Sequence, residues 1–166
     1  ISAMSDDFPL GQAKRSDSPA TANDALITND APCGRKGRDR SKWQKIVNGQ
    51  TASECEWPWQ VHVRVENWRG GWGCGGTLIS KSWGLTAAHC AGEEKNGGHH
   101  LAVALDDVLV GVGSNVLKNQ STHRVENIIN HPSYNPISMD WDVALLKLKE
   151  PVALNDCVGL ACIPDG

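Results

Sequence analysis

The stretch "CGGTLISKSWGLTAAHC", residues 74–90, carries the strongest fold signal in the chain. A short β-type run follows its glycines, and His89 stands near its end between "TAA" and Cys90. That histidine is either a general base or a ring in the core beside a disulfide, the second being the commoner role of histidines in general. A base needs a partner that fixes its tautomer and stabilises the imidazolium. The residues outside this stretch must therefore decide its role.

Runs of β-branched and aromatic residues lie on both sides, separated by Gly, Asn and Pro. Val61, Val63 and Val65 alternate with polar residues, which predicts a strand with one face in a core and His62 at the surface. The continuous apolar run 143–146 predicts a strand buried on both sides. Closure into a small antiparallel barrel would remove the exposed edges of these strands, so we predict an all-β fold. The predicted runs are "WPWQVHVRV" (57–65), "GGTLIS" (75–80), "LAVALDDVLVGVG" (101–113), "HRVENIIN" (123–130) and "DVALLKL" (142–148).

The composition is typical of one oxidised, loop-rich domain outside the cytoplasm. The 166 residues are 40% hydrophobic, enough for a single core. Six cysteines against two methionines predict disulfides and secretion. No apolar run approaches the roughly 20 residues of a spanning helix, so we predict no membrane span. Because the chain starts at Ile1 without a signal core, we expect it to be a fragment.

The first 45 residues differ from the rest. Residues 1–42 are rich in Ser, Asp, Asn, Ala and Pro and have almost no apolar periodicity, which predicts a flexible leader. The basic run "GRKGRDRSK", residues 34–42, has no interleaved aromatic residues, and we predict no nucleic-acid partner. The apolar pattern begins at Ile46, so we assign 1–45 to the leader and 46–166 to the folded domain.

Asp142 is the best candidate partner for His89. It opens the most apolar run of the chain, where a carboxylate without a hydrogen-bond donor would be costly to bury. The Nδ1 proton of a histidine would satisfy it. Neighbouring Asp140 competes for the role but lies outside the apolar run, and a strand-end cap remains the alternative role for Asp142.

Seven motifs, taken together, resemble the amino-terminal half of the chymotrypsin-like (trypsin-fold) serine proteases. The resemblance implies that His89 is the general base and Asp142 its orienting carboxylate. It also implies the first six-stranded barrel of a two-barrel fold, with the active site in the cleft between barrels. One departure is Trp141, where the family commonly has a small polar residue; we expect it to change the cleft lining and not the triad. The motifs are "KIVNG" (45–49), "WPWQV" (57–61), "CGGTLIS" (74–80), "LTAAHC" (85–90), "HPSYN" (131–135), "DVALLKL" (142–148) and "CIP" (162–164).

The same resemblance implies two disulfides and leaves two cysteines for a third. One closes the loop that carries the histidine, the second tethers an activation peptide after cleavage, and the third joins the two cysteines that are left. In that order the pairs are Cys74 with Cys90, Cys33 with Cys162, and Cys55 with Cys157. A zinc site at Cys74, His89 and Cys90 is the alternative, but paired C-x-x-C spacing is absent, and we predict no metal and no cofactor.

Lys45 directly before Ile46 implies, by the same resemblance, a cleavage site for a trypsin-like activating protease. The leader is then a propeptide and the chain a zymogen. No serine lies in a G-x-S-x-G setting; Ser114 comes nearest in appearance but belongs to the first half of the fold. We therefore expect a second barrel downstream to supply the nucleophile, and the printed chain to be inactive.

Three functions remain open, and the third has less support than the other two. The first is a secreted serine endopeptidase acting on proteins or peptides and subject to protein inhibitors. The second is a non-catalytic homologue that binds or regulates a partner, and the weaker one is a structural matrix component. Asn119 in "NQS" is a candidate glycosylation acceptor. Of the other histidines, His99 and His100 are predicted in a loop, and His123 and His131 at strand ends.

Overall fold

The computed structural model describes residues 31–37, 52–67, 70–92 and 103–164. The predicted cleavage site at Lys45 and Ile46 lies outside these ranges, as do His99 and His100. Within them, no helix is long and apolar enough to cross a membrane. The strands are β1 (Gln60–Asn67), β2 (Gly70–Ser80), β3 (Trp83–Thr86), β4 (Val108–Val112), β5 (Ser121–Asn130) and β6 (Ala144–Leu148). The helical elements are α1 (Ala88–Ala91) and two 3-10 turns, Leu105–Asp107 and Leu117–Asn119.

The six strands form one closed barrel in the order β1-β2-β3-β6-β5-β4. Every neighbouring pair is antiparallel, and β1 closes the barrel by pairing with β4. Closure leaves none of these strands with an unpaired edge, which is the physical reason the sequence favoured a barrel. The predicted all-β, six-stranded antiparallel barrel is confirmed.

Alternation in β1 fills the barrel interior as predicted. Val61, Val63 and Val65 are all buried, while His62 between them is partly exposed on the other face. The strand β6 differs because Ala144, Leu145 and Leu146 are consecutive and all buried. Side chains of consecutive strand residues point to opposite faces, so β6 is covered on both, as its continuous apolar run predicted.

Each predicted run differs from its strand in at least one boundary, and one strand was not predicted. Within the described part of the run 101–113, residues 103–113, the strand is Val108–Val112, because the acidic pair before it folds into the 3-10 turn Leu105–Asp107. The strand Trp83–Thr86 was not among the predicted runs, since four residues that include a glycine give no readable period. His123, predicted at a strand end, lies inside β5, whereas His131 directly follows that strand.

A tight contact between β2 and β3 explains one of the glycines of the "CGG" motif. A Cβ on Gly76 would lie 2.9 Å from the Leu85 carbonyl oxygen and 2.9 Å from a methyl of Val61. Such distances are shorter than real Cβ contacts allow, so only glycine fits here without a shift of the neighbouring backbone.

Residues 31–37, which belong to the predicted leader, contact the barrel. Cys33 is bonded to Cys162 and forms a parallel bridge with Leu160, whose carbonyl also accepts the Gly34 N–H at 2.8 Å. Further along, Lys36 Nζ lies 2.6 Å from the buried Glu56 carboxylate. A disulfide and a buried ion pair, and not apolar periodicity, hold this segment on the barrel.

Candidate active site

His89 is carried by a single turn of helix that is fixed from several sides. Ala88, Cys90 and Ala91 are buried around it, so that only the histidine of the turn faces outward. The disulfide from Cys90 to Cys74 ties the turn to β2, and the Trp72 indole N–H donates to the Cys90 carbonyl at 3.3 Å. In the chain-entropy description a disulfide over a loop of this length stabilises the fold by about 3 kcal/mol.

Asp142 lies two residues before β6 and makes two hydrogen bonds to His89. Its Oδ1 accepts the backbone N–H of His89 at 2.8 Å, and its Oδ2 lies 2.6 Å from His89 Nδ1. The side chain of Asp142 is 22% exposed and that of His89 is 47% exposed. The carboxylate is therefore partly withdrawn from water while the imidazole faces outward.

The surroundings of Asp142 favour its charged form. Desolvation by burial raises the pKa of Asp142, but the hydrogen bonds from the His89 side chain and backbone, the charge of His89 and a backbone hydrogen bond from Ala88 lower it. The lowering effects prevail, and the pKa lies below its ordinary value of 3.8. The same negative charge adds to burial in raising the pKa of the Tyr134 hydroxyl.

This geometry selects one tautomer of His89. An ionised carboxylate only accepts hydrogen bonds, so the proton facing Asp142 must be on Nδ1. In the neutral ring, Nε2 then carries the lone pair. Its neighbour is the Cys90 sulfur at 3.3 Å, which belongs to a disulfide and has no proton to give. The arrangement leaves an unprotonated Nε2 beside the Cys74–Cys90 disulfide, able to accept a proton.

The competing residues are engaged elsewhere. Asp140 accepts a 2.6 Å hydrogen bond from the Ser138 hydroxyl, and its side chain is exposed. The Ser114 hydroxyl donates to Glu54 at 3.3 Å and accepts the Val116 N–H at 3.1 Å, so its contacts lie away from the histidine.

The cluster of Cys74, His89 and Cys90 has its potential ligand atoms within 4.8 Å of one another. Both sulfurs are consumed by the Cys74–Cys90 disulfide, and a metal thiolate site needs them free and deprotonated. The donor set therefore does not suit zinc.

All six cysteines are paired. The pairs are Cys33–Cys162, Cys55–Cys157 and Cys74–Cys90. The candidate acceptor Asn119 is exposed at the end of its 3-10 turn.

Sequence reasoning did not foresee how Trp141 is held. Its indole stacks on the His131 imidazole, with ring centroids 4.6 Å apart and planes inclined by 9°. Its backbone is left-handed, with φ of 56°. The only signal in the sequence was the unusual residue type directly before the aspartate.

A six-stranded antiparallel barrel with a hydrogen-bonded histidine–aspartate pair defines one half of a chymotrypsin-like serine protease. Residues 46–166 match the sequence model of the family described as Trypsin. The chain belongs to this family of trypsin-like serine proteases.

Curated relatives agree with this assignment. Transmembrane protease serine 11B from Homo sapiens is 35% identical over 141 residues, which cover 84% of this chain and 31% of that protein. Transmembrane protease serine 11E from Mus musculus is 35% identical over 136 residues, or 80% of this chain and 29% of that protein. Suppressor of tumorigenicity 14 protein homolog from Bos taurus is 31% identical over 135 residues, covering 80% of this chain and 15% of that protein. The chain thus spans less than a third of the length of these relatives.

Proposed function

We propose that the complete protein is an extracellular serine endopeptidase made as a zymogen, with His89 as general base and Asp142 as the carboxylate that orients it. The observation that carries the proposal is the pair of hydrogen bonds from His89 to the two oxygens of Asp142. They fix the ring and its tautomer together, which is what a general base of this kind requires.

In the proposed reaction, Nε2 of His89 takes the proton of a serine hydroxyl as the serine oxygen attacks the carbonyl carbon of the substrate. The imidazolium that forms is stabilised by ionised Asp142 and then gives its proton to the leaving amine. The serine and the oxyanion-hole donors would come from polypeptide outside the printed sequence, in the second barrel. The substrates are proteins or peptides, and neither a metal nor a cofactor takes part.

Activation would follow cleavage by a trypsin-like protease between Lys45 and Ile46, which separates a propeptide, 1–45, from the protease domain, 46–166. The Cys33–Cys162 disulfide would then keep the propeptide attached. This proposal is supported by the basic residue at the composition boundary and by the contacts of residues 31–37 with the barrel.

The extracellular location is supported by the use of all six cysteines in disulfides. Two of the relatives are named as transmembrane proteases, so the protease is either released or displayed at the cell surface. The exposed Asn119 is the proposed glycosylation acceptor. Protein inhibitors that bind trypsin-like clefts are expected partners.

The test is to express the complete coding sequence, treat the product with trypsin and label it with a fluorophosphonate that reacts with activated serines. We expect a new amino terminus at Ile46, labelling only after cleavage, and loss of labelling in His89→Ala. Absence of labelling in a cleaved, folded wild-type protein would contradict the proposal and favour the non-catalytic binding homologue.

A further inference from the structure

We propose that Trp141 and His131 form a positioning pair that holds the Asp142 carboxylate against His89. The inference rests on the proposed function for its catalytic consequence, but its geometric part concerns the structure alone. The two rings stack in parallel with centroids 4.6 Å apart. The pair acts on His89 through Asp142, whose carboxylate makes the hydrogen bonds to it.

The backbone at Trp141 explains why a holding contact is needed. A φ of 56° is a left-handed conformation that bulky residues rarely adopt and that asparagine or glycine accept more easily. Such a conformation persists only where surrounding structure imposes it. Asparagine or glycine would tolerate it locally, whereas tryptophan requires an external contact.

His131 is suited to be that contact because it is firmly fixed. It is 5% exposed, its carbonyl accepts the Tyr134 N–H at 2.9 Å, and its Nδ1 accepts the Ser133 N–H at 3.1 Å. Its own backbone N–H donates to the Val143 carbonyl at 2.9 Å. His131 therefore contacts both chain neighbours of Asp142, Trp141 through its ring and Val143 through its backbone.

Asp142 lies at the centre of a tight three-residue turn between those neighbours. The Val143 N–H donates to the Trp141 carbonyl at 2.7 Å, which closes the turn. Both oxygens of Asp142 must reach His89 atoms at 2.8 Å and 2.6 Å. A rotation of the backbone at residue 141 would swing the carboxylate and lengthen one or both bonds.

The experiment uses the full-length, activated protein and compares Trp141→Ala, Trp141→Phe and Trp141→Gly. Steady-state kinetics give kcat and KM, and proton NMR of histidine-labelled protein follows the His89 Nδ1 proton. The matched control is Trp57→Ala, which removes a tryptophan of nearly equal exposure, 45% against 46%, whose ring packs edge-on against Trp59.

Trp141→Ala is expected to lower kcat by about 10- to 100-fold with little change in KM, because a misplacement of about 1 Å in a catalytic group has effects of this size. The Nδ1 proton resonance should broaden or shift. Trp141→Phe, which can still stack, should restore most of kcat. Trp141→Gly accepts the left-handed backbone but cannot stack, and should stay below Trp141→Phe. Trp57→Ala should match wild type.

The proposal is overturned if Trp141→Ala keeps the wild-type kcat and the wild-type resonance, or if it changes KM alone, as a ring that contacts substrate would. Equal kcat for the glycine and phenylalanine variants would likewise show that the stack is not needed. His131→Asn, whose side chain can still accept the Ser133 N–H, should reproduce the Trp141→Ala phenotype, and a wild-type result would also contradict the pair. If the wild-type protein is not a protease, kcat is absent throughout, yet the Nδ1 resonance still distinguishes a positioning pair from a passive contact.

Discussion

At the scale of single residues, the two oxygens of Asp142 have different tasks. Oδ1 binds the His89 backbone and fixes the position of the turn, while Oδ2 binds Nδ1 and fixes the tautomer of the ring. Replacing the carboxylate by an amide keeps the shape but presents a donor to Nδ1. The ring would then be driven to the opposite tautomer, with its proton on Nε2 where the base should be.

Asp142→Asn should therefore lower kcat by about 10⁴-fold in the activated protein, with substrate binding largely retained. The matched control is Asp140→Asn, two residues away, which can keep its hydrogen bond with Ser138. Steady-state kinetics on both variants check the prediction. Similar losses in the two variants would mean that the effect is a general loss of charge in this loop.

The pKa of Asp142 predicts a dependence of stability on pH. Because that pKa lies below its ordinary value of 3.8 in the folded protein, ionisation of Asp142 favours folding. The contribution is complete above the unfolded value and is lost as pH falls through the lower folded value. Denaturant unfolding from neutral pH to about pH 2 compares wild type with Asp142→Asn. The free energy of unfolding should be higher for wild type by a constant amount above pH 3.8, and this difference should shrink at lower pH. An advantage that grows on acidification would refute this.

The candidate pair could be predicted from the sequence because each residue stands in a distinctive local setting, His89 before a cysteine and Asp142 before a buried strand. The contact of Trp141 with His131 could not be predicted from the sequence. It depends on one left-handed residue, which bends the chain so that side chains ten positions apart meet without any periodic pattern. No propensity argument for tryptophan anticipates that conformation.

At the scale of elements, the sequence predicted the strands that have a clear hydrophobic pattern. β1 alternates and β6 is continuously apolar, so both gave strand signals that the structure confirms. β3 has four residues, and its buried glycine contributes no side chain to a pattern. Its place in the barrel comes from pairing with β2 and β6, which is a tertiary effect.

The close approach of β2 and β3 gives an element-scale prediction. Gly76→Ala should destabilise the fold by about 1–3 kcal/mol, since the new methyl overlaps the Leu85 carbonyl and a Val61 methyl. Gly84→Ala is the matched control, because its nearest contact would be an ordinary 3.8 Å to the Thr77 carbonyl. That variant should be neutral or stabilised by up to about 1 kcal/mol. Thermal unfolding of both variants would decide, and an equal cost at the two positions would contradict the packing argument.

At the scale of the whole molecule, residues 31–37 join the leader to the barrel by more than a disulfide. Lys36 Nζ lies 2.6 Å from the buried Glu56 carboxylate and 4.3 Å from the centre of the Trp57 ring. The Glu56 carboxylate also accepts the Ser53 N–H at 2.8 Å. Removing the lysine leaves the buried Glu56 carboxylate without its ion pair to Lys36. This loss destabilises the fold even though the lysine itself is half-exposed.

Lys36→Met should accordingly lower the free energy of unfolding by about 1 kcal/mol, while Lys81→Met, at an exposed turn, should have almost no effect. Chemical denaturation of the two variants under non-reducing conditions provides the comparison. Indistinguishable stabilities would show that the Lys36–Glu56 contact does not help to hold the segment.

The central claim is that Asp142 keeps the Nδ1 proton on His89 and leaves Nε2 free to accept another. ¹⁵N NMR of the full-length protein labelled at histidine measures this directly, because the two ring nitrogens report separately whether each carries a proton. The account predicts a protonated Nδ1 and an unprotonated Nε2 for neutral His89 in wild type, and the reverse in Asp142→Asn. A wild-type His89 with its proton on Nε2 would contradict it.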